Sequence, residues 1–372
     1  MKNKQLIFIL LFFVLTSCKS EKEKAFEKTI IGEWNFDKFI TLNKENDFEE
    51  LPPLPFMAKN GYIFNSDKTC TLKPGFLKMI EGKSREENQI IYLGNSTEYK
   101  IKNDSLKIQN LDTKKWDNYK IVSITSDTLT LQKKSDELLK FYKTNYTLDP
   151  TENYDEIIIS SSGCYGTCAI FDLLISKNEN ALFFGEEYIS KKGIFTSKIS
   201  KNSFNDVENS FKKSNITKLK DRYSSNWTDL NTISVTFIKG KKIIKTISDY
   251  GGESPDEFRM SYQRAKYLYQ SLNLQNGQHY LPFQTISQVK KGNELIYFEK
   301  SELFYLFYLL RNGKELPARK ILNVYTLQGY GKNDEETEIK TDGRYFLVNN
   351  KIIDIGFNFF EINDFVDRKL DE

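Results

Sequence analysis

The chain has one histidine, His279, in 372 residues. Mechanisms that need two histidines are excluded, and so are most zinc sites. Charge of either sign is not in excess: 54 basic residues face 51 acidic ones, a formal net charge of +3. A nucleic-acid partner therefore has no electrostatic support. Past the N-terminus no apolar run approaches the roughly 20 residues of a membrane-spanning helix. Serine and lysine are plentiful, but no nucleophile elbow or base motif places them. These gaps leave no catalytic residues, no metal and no cofactor to expect.

What is present begins with a short basic stretch, Lys2 and Lys4, an apolar run from Leu6 to Val14, and Leu15-Thr16-Ser17-Cys18. Charged, apolar and small residues in that order build a secretory signal. The ending Leu-Thr-Ser-Cys resembles the lipobox of bacterial lipoproteins. The resemblance implies a signal peptide over residues 1–17, with Leu15, Thr16 and Ser17 in the recognition positions and Cys18 as the lipidated residue. Each buried methylene contributes about 0.8 kcal/mol, and two or more acyl chains anchor where one does not. The expected address is a bacterial outer membrane, with the chain lipid-anchored and facing the periplasm or the cell surface. Residues 18–25 are polar and mixed in charge, which suits a solvated tether.

Residues 26–147 read as a first β domain. Tyr62-Ile63-Phe64, Glu98 to Ile101, Ser105 to Ile108, Tyr119 to Val122 and Thr128 to Leu131 are short runs between Asn/Asp turns, several alternating apolar with polar residues. This period of two marks half-buried antiparallel strands, and many short strands suggest a barrel or sandwich. The opening Gly32-Glu33-Trp34 with such a meander resembles the small lipocalin-like domains of bacterial envelope lipoproteins. It implies an up-and-down barrel with Trp34 plugging its floor. The interior is either filled by its own side chains or open to a small apolar ligand. The proline-rich stretch Glu49 to Pro55 is a stiff connection, a lid or a partner contact.

Residues 153–272 form the next expected unit. Strand-like runs (Glu156 to Ser160, Ile170 to Ser176, Ala181 to Glu187, Ile194 to Ile199) are followed by a helix over 203–213. Two strands joined at Lys239-Gly240 come next, then a helix that Ser254-Pro255-Asp256-Glu257 starts as a capping box. The order implies an antiparallel sheet with helices packed on one face. The most distinctive segment is Gly163-Cys164-Tyr165-Gly166-Thr167-Cys168. With Leu219 to Tyr223, Thr228-Asp229-Leu230 and Tyr250-Gly251, it resembles domain-of-unknown-function family 6438 of bacterial envelope proteins. That family usually has proline after the second cysteine, where this chain has Ala169, and no activity is established for it.

Residues four apart on a strand lie about 13 Å apart, beyond the roughly 7 Å limit for a disulfide. A Cys164–Cys168 bridge therefore needs a turn, which Gly163 and Gly166 permit. An oxidising envelope favours a structural bridge, and a redox-active pair is the alternative. Cys70 is left as a buried thiol or an interdomain bridge. Tyr165, Tyr223, Trp227, Asp229 and Tyr250 stand in turns, where binding residues concentrate, although capping and packing the turns is the plainer explanation of them. Tyr165, Tyr223, Asp229 and Tyr250, with Trp34, are the candidate ligand-binding residues.

Residues 275–372 read as a small α+β unit: an amphipathic helix over 301–310, then strands near 322–327, 336–341, 344–348 and 352–355. It is either a third domain or an extension of the middle sheet. The expected whole is an α+β chain: an antiparallel β-barrel, a sheet with helices, and a small C-terminal unit. The expected function is a non-enzymatic envelope lipoprotein that binds a small apolar ligand or an envelope protein partner. The alternative is a thiol-redox or accessory enzyme acting through Cys164 and Cys168.

Overall fold

The computed structural model describes residues 20–41, 60–84, 87–134, 137–277, 281, 283, 285–318, 320–331 and 335–365. The signal segment, Cys18, the stretch Glu49 to Pro55 and His279 lie outside the described residues. The chain forms two compact units. One holds residues 20–41, 60–73 and 94–145; the other holds residues 74–93 and 146–365.

The first unit opens on α1 (Glu21–Thr29), where the polar composition had pointed to a solvated tether. Ser20 and Glu23 form a capping box, Glu23 also accepts from the Asn103 N–H at 2.9 Å, and Lys22 pairs with Asp104 at 2.8 Å. Eight antiparallel strands then close a barrel in sequence order: β1 (Gly32–Thr41), β2 (Gly61–Phe64), β3 (Thr69–Ile80), β4 (Gln89–Lys102), β5 (Ser105–Gln109), β6 (Trp116–Ile124), β7 (Thr128–Lys134) and β8 (Glu137–Thr144). Pairing of β1 with β8 closes it. The barrel core includes Trp34, Phe64, Tyr99, Leu106, Leu129 and Phe141. Trp34 is fully buried and its indole N–H donates to Ile30 O at 2.6 Å. Cys70 is a free thiol within this core, and burial pushes its pKa well up.

The second unit contains two sheets. The first has eight strands in the order β13-β15-β14-β9-β10-β11-β12-β16. These are β9 (Glu156–Ser161), β10 (Ile170–Ser176), β11 (Asn180–Glu187), β12 (Gly193–Lys198), β13 (Arg222–Ser224), β14 (Thr232–Lys239), β15 (Lys242–Tyr250) and β16 (Gln275–Asn276). All pairs are antiparallel except the short β13–β15 pair. On one face lie α2 (Lys201–Lys212) and α3 (Asp256–Ala265), whose Phe204, Phe211, Phe258 and Tyr262 pack on Ile157, Ile159 and Phe237. Pro255 is the cap position of α3 and no side chain caps it. The expected capping box is absent because α3 starts one residue later than the pattern suggests, with Pro255 rather than Ser254 in the cap position, while the Ser254 hydroxyl donates to Asp249.

The opposite face is covered by α4 (Lys300–Arg311), a helix apolar on nearly every side. Such a helix is stable only when enclosed. Its other flank packs on a seven-stranded sheet of order β18-β17-β20-β21-β22-β23-β19. These strands are β17 (Thr285–Lys291), β18 (Glu294–Ile296), β19 (Lys314–Pro317), β20 (Tyr325–Tyr330), β21 (Glu336–Thr341), β22 (Tyr345–Val348) and β23 (Lys351–Asp354), and α5 (Phe359–Ile362) follows. One continuous core joins Ile158, Leu174 and Leu182 of the first sheet, Leu306 and Phe307 of α4, and Leu327 and Ile339 of the second sheet. The C-terminal residues thus have their own sheet but share the core of the middle segment.

Leu306 is fully buried in this core. Leu306→Ala should lower the stability of the second unit by about 2–5 kcal/mol, the usual cost of truncating a buried leucine. Denaturant unfolding followed by circular dichroism would measure it, and a loss below 1 kcal/mol would show that α4 is not a central packing element.

Candidate functional site

The turns named above gather at one end of the eight-stranded sheet, where β9, β11 and β15 end and β10 and β14 begin. The loop from Ser162 to Ala169 leaves β9 and returns as β10. It is closed by a Cys164–Cys168 disulfide with a Cα–Cα distance of 5.6 Å, inside the usual range. Gly166 N–H donates to Cys164 O at 2.8 Å, which makes the turn that the spacing demanded. The loop is pinned to the strand entering β14: Thr232 N–H donates to Ser162 Oγ at 2.8 Å, and Tyr165 N–H donates to Asp229 O at 3.2 Å.

Asp249 organises the neighbouring turn. Buried at the end of β15, it accepts from Glu253 N–H at 2.7 Å, Ser254 N–H at 3.1 Å, the Ser254 hydroxyl, and the Tyr262 hydroxyl at 2.8 Å. Burial pushes the Tyr262 pKa far up, so this hydroxyl stays a donor. Between these anchors Gly251 holds φ +78°, and a Cβ there would lie 2.5 Å from Leu230 and 2.7 Å from Ser225. The turn that carries Tyr250 is therefore closed to other residues by both conformation and space.

Two clefts flank this end of the sheet, both within the second unit. The first, about 330 Å³, is bordered by the disulfide loop, Phe171, Tyr188, Lys266, Tyr267 and Tyr269. Residues Asn88 to Ile90 close one side. They are held there by Gln270, which accepts from Tyr92 N–H and donates to Ile90 O, each at 2.8 Å. The second cleft, about 320 Å³, lies at the start of α4 and is lined by Arg222, Tyr223, Tyr250, Tyr297, Glu299 and Lys300, with serine and threonine hydroxyls between them. Arg222 pairs with Glu299 at 3.3 Å and stacks on Tyr297, 4.2 Å from the ring centre.

The expected binding residues are thus divided. Tyr165 lies at the first cleft and is 85% exposed. Tyr223 and Tyr250 line the second, and their hydroxyls accept from Lys220 N–H and Leu230 N–H. Asp229 sits at φ +69° and holds the loop through its carbonyl, not its carboxylate. Trp34 is a core residue of the barrel.

Lys266, Asp172, Glu186, Lys300 and Arg222 were not anticipated. Asp172 is buried in the centre of β10 and pairs with Lys300 at 2.6 Å, and Glu186 meets the same ammonium. Burial pushes the Asp172 pKa up to about 6, although Lys300 opposes the rise. For Lys300, burial pulls the pKa down, and Asp172 with Glu186 outweigh it and hold it above the ordinary value. A lone acid inside the run Ile170 to Ile175 was the available signal. Lys266 differs: among the described residues no carboxylate pairs with it, its ammonium stands 5.0 Å from the Tyr267 ring centre, and burial lowers its pKa to about 8. No cluster of three or more metal-ligating side chains occurs among the described residues.

A family described as a domain of unknown function (DUF6438) matches residues 155–269. The match covers β9 to α3, the disulfide loop and the Asp249 turn. No curated protein matches the chain. Among solved structures, an H. pylori beta clamp in complex with 5-chloroisatin aligns over 78% of this chain and 74% of that chain, at 9% identity and a TM-score of 0.12. So low a score carries no argument about fold or function.

Two outcomes are expected here. Closing a five-residue loop should stabilise by about 2 kcal/mol in the chain-entropy picture. The double variant Cys164→Ser, Cys168→Ser should lose about that much in denaturant unfolding, and an unchanged midpoint would show that the bridge braces nothing. The second concerns pH. Between the ordinary 3.8 of an aspartate and about 6, native Asp172 keeps a proton that the unfolded chain has released. Acidification from pH 7 to 5 therefore adds stability through this group. Asp172→Asn should flatten that part of the stability–pH curve; parallel curves for variant and wild type would refute it.

Proposed function

We propose that the chain is an envelope lipoprotein, lipid-anchored at Cys18 in a bacterial outer membrane and facing the periplasm or the cell surface. Its second unit works as a non-enzymatic binding module. Leu15-Thr16-Ser17-Cys18 after a basic and apolar start supports the anchor. Among the described residues no helix is long and apolar enough to cross a membrane, and a lipid on Cys18 would supply the attachment.

The observation that carries the binding reading is the first cleft. Its wall is a loop closed by a disulfide and tied by hydrogen bonds to the start of β14, so its shape exists before any ligand arrives. Small-molecule sites are largely pre-formed, apolar clefts with a few convergent polar groups, of roughly 300–1,000 Å³. The first cleft, at about 330 Å³, falls at the low end of that range. Rigidity of this kind lowers the ordering cost of binding. The thiol-redox alternative draws on one feature, the partial exposure of both cysteines at the cleft wall.

Protein extracted from its native membrane should carry a diacylglyceryl mass on Cys18, and Cys18→Ala should move the chain to the soluble fraction. Alkylation before and after reduction should find Cys70 as a thiol and the other two cysteines bridged. A Cys18→Ala chain that stays in the membrane pellet would refute the anchor. A pair found partly reduced in cells would put the redox reading first.

A further inference from the structure

The second unit treats its half-buried lysines in two ways. Lys300 meets Asp172 and Glu186, and Lys212 pairs with Glu208 at 3.0 Å. Lys266 has no such partner, yet it lines the first cleft next to Phe171, Tyr267 and Tyr269. Among the described residues bordering that cleft it is the one that carries a charge. An ammonium taken from water without a counter-charge is unfavourable. The aromatic face of Tyr267 offsets only part of that, since cation–π contacts are modest. The arrangement therefore holds one uncompensated positive charge at the wall of an aromatic cavity.

We infer that this cleft binds a small organic monoanion, an aryl or acyl carboxylate, with its carboxylate on Lys266 and its apolar body against the tyrosine and phenylalanine wall. The inference rests on the binding-module reading above and adds the ligand class. A single charge calls for a single counter-charge. Phosphate recognition uses arginine forks or nests of backbone N–H groups, and among the described residues no arginine lines this cleft. The wall itself is backed by packed rings. Tyr269 stacks on Phe183 at 4.4 Å between ring centres and meets Phe171 at 6.2 Å, so a flat body would find a surface already in place. Amide and hydroxyl groups of Asn231, Ser161 and Ser190 border the same space and would leave room for one polar substituent on the ligand.

The test is calorimetric titration of the full chain with 2-naphthoate and with 2-naphthamide, its neutral counterpart. A charge-assisted hydrogen bond contributes about 1.5–3 kcal/mol, so the acid should bind at least about tenfold more tightly than the amide at pH 7. Lys266→Met, which keeps the apolar stem, should abolish the preference, and Lys266→Arg should keep it. The preference should also shrink as pH rises from 6.5 to 9, because Lys266 loses its proton near 8. The other titratable groups among the described residues bordering the cleft are tyrosines, burial raises the pKa of Tyr267 and Tyr269, and no described carboxylate borders the cleft. Equal affinities for acid and amide would overturn the anion assignment and leave a charge-blind binding cleft. A preference that survives in Lys266→Met would overturn it also. Binding of neither probe would remove the cleft as a site altogether. If the methionine variant does not fold, the wild-type pH series decides: a preference constant from pH 6.5 to 9 overturns the inference.

Discussion

The second unit depends on the enclosure of α4. Lys300–Arg311 contains Leu303, Phe304, Tyr305, Leu306, Phe307, Leu309 and Leu310, and no single face can be given to water. The helix needs a sheet on each side. Strands β9, β10 and β14 supply one, with interiors buried almost without interruption. Strands β17 to β23 supply the other. Once both faces of the eight-stranded sheet are covered, by α2 and α3 on one side and α4 on the other, only its ends and edges remain to carry recognition. The disulfide loop and both clefts lie at such an end.

Enclosing a helix start brings polar groups into the core, and the sequence supplies partners for them. Glu299 and Glu302 form a buried capping box, with Glu302 accepting from Glu299 N–H at 2.9 Å. Ser301 N–H donates to Ser234 Oγ at 3.1 Å, and the Ser301 hydroxyl meets that of Thr236 at 2.7 Å. Lys300, at the first helical position, is set against Asp172 and Glu186. A cation is poorly placed at a helix N-terminus, and these two acids offset both its charge and its desolvation. The cost appears in Asp172, whose pKa is raised even with a lysine beside it. This seam satisfies a packing requirement, which is why its charges are paired and those of the first cleft are not.

Much of the architecture was legible in residue patterns. Alternation revealed the end of β4 and also β5, β6 and β7, and it failed for β8 because Glu137-Leu138-Leu139-Lys140-Phe141 does not alternate cleanly. Ser20-Glu21-Lys22-Glu23 carried a capping-box signature that its polar character obscured, so α1 was read as tether. Asn349 and Asn350 both adopt positive φ between β22 and β23, as a two-residue hairpin turn requires. Ser254 carries the capping signature of α3, but the helix begins one residue later and the Ser254 hydroxyl instead donates to the buried Asp249, a partner brought near only by the fold. The order of elements pointed to helices on one face only, although the triple runs Ile157-Ile158-Ile159 and Leu173-Leu174-Ile175 fit a sheet covered on both faces, because the helix that covers the second face lies over 120 residues further on. Of the site, the disulfide loop, Tyr165, Tyr223 and Tyr250 were visible as turns. Lys266 was not, because it differs from other surface lysines only in what the fold places around it.

The loop that enters β10 after Ala169 owes its rigidity to contacts with the rest of the unit. The disulfide closes it, Thr232 holds Ser162, and Asp229 takes the Tyr165 N–H. Asp229 can do so because it adopts a left-handed conformation, which aspartate tolerates better than most residues. The loop is therefore bound to the Asp229 turn, and that segment leads through β14 and β15 to Asp249 and then to α3, the helix that ends at Lys266. Loop and lysine form two walls of one cleft, and both belong to the continuous stretch from the end of β9 to the end of α3.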